Sequence, residues 1–146
     1  DMALFKFTKA ILEGSPIEVF NHGRHTRDFT YIDDIVEGVV RVLDRVPGGD
    51  PDWDGAAPDP ATSRGPWRIY NIGNGNPVEL LRYIEVIEAC VGRKARMEML
   101  PARREDLPDT SANCDDLARE VGYRPSTPVE TGVARFVEWY REFYEV

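Results

Sequence analysis

The chain has 146 residues and a formal net charge of −8, from 18 Lys and Arg against 26 Asp and Glu. Nucleic-acid affinity comes mostly from Lys and Arg neutralising phosphates, so a surface of this sign excludes nucleic acid as the natural partner, although a few arginines in one cleft can still hold a small phosphorylated ligand. A hydrophobic fraction of 42% suits about one globular core. No apolar run approaches the roughly 18 residues of a bilayer span, and the N-terminus shows neither a basic n-region nor an apolar h-region, so the reading is a cytoplasmic protein without membrane contact.

Residues 2–13 carry Leu4, Phe7, Ala10 and Ile11 close to a helical period, and Gly14 is the predicted stop. Ile17 to Phe20 reads as a short strand, followed by turn chemistry at Asn21, His22 and Gly23. From Arg27 to Ile32 side chains alternate, with Arg27, Phe29 and Tyr31 on one face of a predicted strand. Asp34 and Glu37 then form an Asp-type capping box opening a helix with the stripe Ile35, Val39, Leu43 and Val46, flanked by Val36 and Val40.

Residues 47–66 hold five prolines and four glycines with no apolar period, which predicts a mobile insertion. Trp67 to Ile72 reads as a strand by its aromatic and β-branched content. Asn76, Pro77 and Glu79 predict the start of a helix whose buried stripe is Leu80, Ile84, Ile87 and Val91 and whose stop is Gly92. Ala95 to Leu100 alternates as a further strand, Asp115 to Val121 forms a short helix ended by Gly122, and Thr127, Pro128 and Glu130 open a long terminal helix. Short strands alternating with about five helices predict an α/β fold.

Several patterns bear on chemistry. Cys90 and Cys114 lie on different predicted elements without metal-type spacing and read as buried thiols. His22, His25 and Asp28 supply only two histidines, so surface turn residues are a better reading than a metal site. The turn "IGNGNP" offers Gly73 and Gly75 between a predicted strand and helix, but Val78 stands where a dinucleotide fingerprint has its third glycine. Arg24, Arg27, Arg103 and Arg104 are the remaining candidates; guanidinium forks match phosphate oxygens, and surface ion pairing is the alternative.

The runs "VFNHGRHTRDFTYIDDIVEGVVRVLDRVP", "PDWDGAAPDPATSRGPWRIYNIGNGNPVELLRYIE" and "GYRPSTPVETGVARFVEWYREFY" together closely resemble the C-terminal part of extended short-chain dehydrogenase/reductase proteins acting on nucleotide sugars. "RDFTYIDDI" and "YNIGN" are shared across epimerases and dehydratases of that superfamily, whereas "PDWDGAAPDPATS" points to the UDP-glucuronate 4-epimerase branch. The resemblance implies the C-terminal portion of a Rossmann-type fold: residues 1–146 as a nucleotide-sugar-binding region with the last Rossmann elements, and an NAD-binding part that would precede it in an intact parent.

In that parent the resemblance implies hydride exchange between the sugar and NAD, while this chain grips the UDP and by itself binds no cofactor and turns nothing over. None of the six tyrosines is followed four residues later by a lysine, so the family's Tyr-x-x-x-Lys pair is absent. Carried over by motif, Arg27 would hold the nucleotide diphosphate, Phe20 would bracket the base, and Arg104 with Asp106 would hold phosphate and ribose, with Glu105 standing where the family has a glycine. Tyr31 and Asp33 are read as packing and capping residues. Another nucleotide-sugar enzyme such as a 4,6-dehydratase, and a stand-alone binding module, remain alternatives. Apolar helix faces that pack on a Rossmann layer in the family predict self-association here.

Overall fold

The computed structural model describes residues 2–104 and 106–146. In chain order the elements are helix α1 (Ala3–Glu13), strand β1 (Pro16–Val19), a 3₁₀ turn (Phe20–Gly23), β2 (Thr26–Arg27), α2 (Ile32–Leu43), β3 (Val78–Glu79), α3 (Leu80–Val91), β4 (Arg96–Met99), α4 (Asp115–Val121) and α5 (Val129–Tyr144). They form two compact units, one of residues 1–29, 76–111 and 127–146, the other of residues 30–75 and 112–126. Among the described residues no helix is long and apolar enough to cross a membrane.

The first unit holds α1, α3 and α5 around a parallel β1–β4 pair with Ile17 opposite Met97 and Val19 opposite Met99. Its core joins Ile11, Ile17, Val19, Ile84, Ile87, Val133 and Val137, each nearly inaccessible to solvent. Full burial of such side chains stabilises by roughly 1.5–3 kcal/mol each before chain entropy is set against it. The alternation along β1 sends Ile17 and Val19 inward and leaves Pro16 and Glu18 exposed on the opposite face. Helix α1 ends where predicted: Gly14 sits at φ +74°, and the N–H of Ser15 reaches back to the Ala10 carbonyl at 2.9 Å.

Three predicted boundaries are corrected. The strand expected over Arg27–Ile32 is limited to Thr26–Arg27, paired antiparallel with Val78–Glu79, because Phe29 leaves the ladder to stack on Tyr83 with ring centroids 3.8 Å apart. Helix α2 begins at Ile32 and flanking Tyr31, not at Asp34, whose carboxylate accepts the Ser126 N–H at 3.1 Å. Helix α3 begins at Leu80, not Pro77, since Val78 and Glu79 are held extended by β2 and the Leu80 N–H donates to the His25 carbonyl at 2.9 Å. Gly92 and Gly122, at φ +76° and +66°, end α3 and α4 as predicted.

In the second unit, α2 buries only Gly38, against Ile72 and Tyr123. Most of its apolar stripe faces solvent, with Val36, Val39 and Val40 near half exposed and Leu43 at 76%. Trp67–Ile72, predicted as a strand, pairs with no other strand among the described residues; the Ile69 N–H donates instead to the Ala61 carbonyl at 3.0 Å. A strand exists only where a second backbone lies alongside it. Residues 44–77 contain no helix or strand, yet residues 50–64 are tied by their own hydrogen bonds. The Asp50 N–H donates to the Ser63 carbonyl at 2.8 Å, and the Trp53 ring N–H to the Asp59 carbonyl at 3.2 Å. Asp50, Asp54 and Asp59 each accept the N–H two residues on, the local turn chemistry that Asp favours.

Candidate binding site

The first unit carries a pocket of about 710 Å³ beside β1, whose polar lining includes Lys6, Glu18, Glu98, Arg103 and Asp106, with Phe7 and Phe20 as its aromatic lining. Each side chain is placed by local structure. The parity that buries Ile17 and Val19 turns Glu18 outward, and the chain then reverses through Asn21, His22 and Gly23, all at positive φ. The reversal is anchored by the His22 N–H, which donates to the Leu100 carbonyl at 3.0 Å.

Arg103 reaches over Phe20 with its guanidinium carbon 3.5 Å from the ring centroid, a cation–π contact. Its Nη2 also lies 3.9 Å from the Glu18 carboxylate, both groups being more than half exposed, so that ion pair contributes little. The Asp106 N–H donates to the Arg103 carbonyl at 3.3 Å, a turn that brings both residues to one rim.

Of the four residues assigned by resemblance, Phe20 and Asp106 line this pocket; Arg104 is exposed and does not. The arginine beside Phe20 is Arg103, which the sequence reading included only in the wider cationic set. Arg103 stands three residues before Asp106 and Arg104 two, both within the spacing that the resemblance implies. Glu105 lies outside the described residues. Arg27 is half-buried, and its Nη1 donates to the carbonyls of Thr26 and Pro108 at 2.8 and 2.9 Å while its Nη2 donates to that of Leu107 at 2.8 Å. Its fork therefore braces the segment just beyond Asp106. Arg24 is exposed and His25 is buried at 6%, its carbonyl engaged with Leu80.

Lys6 and Arg103 face the carboxylates of Glu18, Glu98 and Asp106, so the pocket has no excess positive charge. An aromatic face with carboxylates suits a planar base and hydroxyl donors; phosphate oxygens would fall to Arg103 and Lys6 on charge alone. The turn at 73–75 does not fit a dinucleotide: the Gly73 N–H donates to Cys114 Sγ at 3.1 Å and the Asn74 N–H to Thr30 Oγ1 at 3.1 Å, so these amides are turned into the protein. No group of three or more metal-ligating side chains is present among the described residues.

These features define a mixed α/β protein with a pocket of about 710 Å³ beside a parallel strand pair. Residues 1–73 match the NAD dependent epimerase/dehydratase family, and the chain belongs to that family. It is 49% identical over 148 residues to the probable UDP-glucuronate 4-epimerase of Rhizobium meliloti (strain 1021), covering 99% of this chain and 42% of that protein. It is 47% identical over 145 residues to protein CapI of Staphylococcus aureus, covering 99% of this chain and 43% of the relative. The chain thus spans less than half the length of these curated relatives. Among solved structures, the UDP-glucuronic acid 4-epimerase of Bacillus cereus, in complex with UDP-glucuronic acid and NAD, superposes with a TM-score of 0.79 at 25% identity, over 99% of this chain and 41% of that one.

Proposed function

We propose that the pocket walled by Phe20 and rimmed by Arg103 and Asp106 binds the UDP part of a nucleotide sugar, as the substrate-gripping portion of an NAD-dependent enzyme of the UDP-glucuronate 4-epimerase type. The observation that carries this is the meeting of a cation, an aromatic face and a carboxylate in one pocket. Similarity to the epimerases of Rhizobium meliloti and Bacillus cereus supports the choice of sugar nucleotide. Phe20 offers its ring to the base, Asp106 accepts from ribose hydroxyls, and Arg103 meets the nearer phosphate. Arg27 is assigned to the diphosphate as well; three of its N–H groups are directed at carbonyls, so an oxyanion there adds to or replaces those bonds.

A remote handle of this kind lets a reacting sugar turn while the molecule stays bound, binding energy at a non-reacting group holding the reacting one in place. The residues described here supply no hydride acceptor and no Tyr-x-x-x-Lys acid–base pair, so the proposal includes that the isolated chain is inactive. A cytoplasmic setting accords with two unbridged cysteines. Self-association through the exposed stripe of α2 completes the reading. Calorimetric titration with UDP tests it: saturable binding that weakens about tenfold in Phe20→Ala, and weakens likewise in Arg103→Ala, is expected. Absence of binding by the parent chain, or turnover of UDP-glucuronate by it with added NAD, contradicts it.

A further inference from the structure

Between Leu100 and Thr110 the chain leaves β4, carries Arg103 and Asp106 past the pocket, and returns to β2. Its near end is fixed by the Leu100 N–H donating to the Val19 carbonyl at 2.9 Å. Its far end is fixed on β2, where Thr26 alone makes three bonds to it. The Thr26 N–H donates to the Pro108 carbonyl at 3.0 Å, the Thr110 N–H donates to the Thr26 carbonyl at 3.3 Å, and Thr26 Oγ1 donates to Asp109 Oδ1 at 2.7 Å. Thr26 is at the same time paired with Glu79 on its other side, so it sits in the middle of a three-chain junction.

We infer that the Thr26–Asp109 side-chain bond is a clasp that positions Arg103 and Asp106 at the pocket, making both clasp residues positioning residues for ligand binding. This rests on the reading of the pocket as a nucleotide site. The reasoning is geometric. Arg103 to Leu107 is exposed wherever it is described, so the placement of the rim is set by where the two ends of the segment are held. Backbone bonds hold the segment at Pro108 and Thr110, and the Arg27 fork holds it at Leu107 and Pro108. The Thr26–Asp109 side-chain bond, falling between Pro108 and Thr110, adds a restraint on rotation of the segment about those backbone bonds. Thr serves this position because a β-branched residue suits the strand and its hydroxyl adds the donor that Val lacks. The Arg27 fork on Leu107 and Pro108 works on the same segment from the next residue of the strand.

The test uses the 146-residue chain with UDP as the probe, read by calorimetry and by amide hydrogen exchange. Thr26→Val, which keeps shape and removes the donor, should weaken UDP binding about fivefold, the size expected for one exposed hydrogen bond to a charged acceptor. It should also speed exchange at Thr110, while Thr26→Ser restores both readouts. Asp109→Ala, on the exposed side of the bond, should reproduce the loss, and the double variant should be no worse than either single one. Wild-type affinity in Thr26→Val, or equal losses in the Ser and Val variants, refutes the clasp while leaving the nucleotide site standing. If the parent chain binds no UDP, the nucleotide reading itself fails and the clasp falls with it. Should Thr26→Val not fold, Asp109→Ala alone decides: unchanged affinity counts against the clasp, and a fivefold loss with unchanged melting supports it.

Discussion

The guanidinium of Arg103 lies 3.5 Å above the ring of Phe20, and Asp106 joins the same rim through a turn that begins at the Arg103 carbonyl. Phe20 is partly buried and stacked under Arg103, so Phe20→Ala should lower melting modestly while weakening UDP binding about tenfold, the scale of losing one base–aromatic stack. Arg104→Ala should leave affinity within twofold, since one exposed charge outside the pocket contributes little. A larger effect of Arg104 than of Arg103 in the same titration would reverse the assignment made here.

Arg27 binds three carbonyls in a fork that no lysine reproduces. Arg27→Lys and Arg27→Ala should both destabilise the chain, by about 1 kcal/mol, because the Thr26, Leu107 and Pro108 carbonyls lose a charged donor and the last two are exposed enough for water to replace it. Denaturant unfolding measures this directly. Equal stability of Arg27→Ala and the parent would show that the fork does not hold the 107–108 segment.

Helix α2 exposes Leu43 at 76% and Ile32 at 61% in a continuous apolar stripe. Association through this face should appear as concentration-dependent sedimentation, and the pair Val39→Ser and Leu43→Ser should shift the chain toward monomer without loss of stability. Polar replacement of exposed apolar residues removes no core packing. A parent chain that stays monomeric at high concentration excludes the association.

Glu130 has its carboxyl held below the usual range by its own backbone N–H and then by Arg82. Asp116 is held low by Arg119 first and then by Arg68. For carboxyls depressed in the folded state, the stabilisation is present above their unfolded values, near pH 4, and is lost as pH falls through the folded ones. Melting temperature should therefore fall from about pH 5 toward pH 3, and Arg82→Ala should flatten part of that slope. Both pairs are largely exposed, so the effect is small and should shrink further with added salt. A slope unchanged in Arg82→Ala would show that the Arg82–Glu130 pair contributes nothing to it.

The 47–66 segment is proposed to act as an insertion that moves as a unit, its ends drawn together by Asp50 and Ser63. Limited proteolysis should cut near Gly55 and Ala56, at the exposed tip, before any site in α3 or α5. Cleavage first inside either helix would refute this.

Sequence alone determined what depends on a residue and its near neighbours. Gly14, Gly92 and Gly122 end their helices because the left-handed backbone each stop requires costs glycine nothing. The parity of Ile17 and Val19 against Glu18 follows from the two-residue period of a strand, and with it the wall that carries Phe20. The family, too, was legible in "RDFTYIDDI" and "YNIGN". Tertiary structure decided what depends on distant partners. Capping signals placed α3 at Pro77, but pairing of Val78 and Glu79 with β2 delays it to Leu80. Trp67–Ile72 has the composition of a strand and no neighbouring strand to pair with among the described residues. Arg103 and Arg104 are adjacent and chemically identical in sequence; a turn closed from Asp106 onto Arg103 sends one over Phe20 and leaves the other in solvent. Local stereochemistry is written residue by residue, whereas pairing and orientation are set by whichever backbone lies across from it in space.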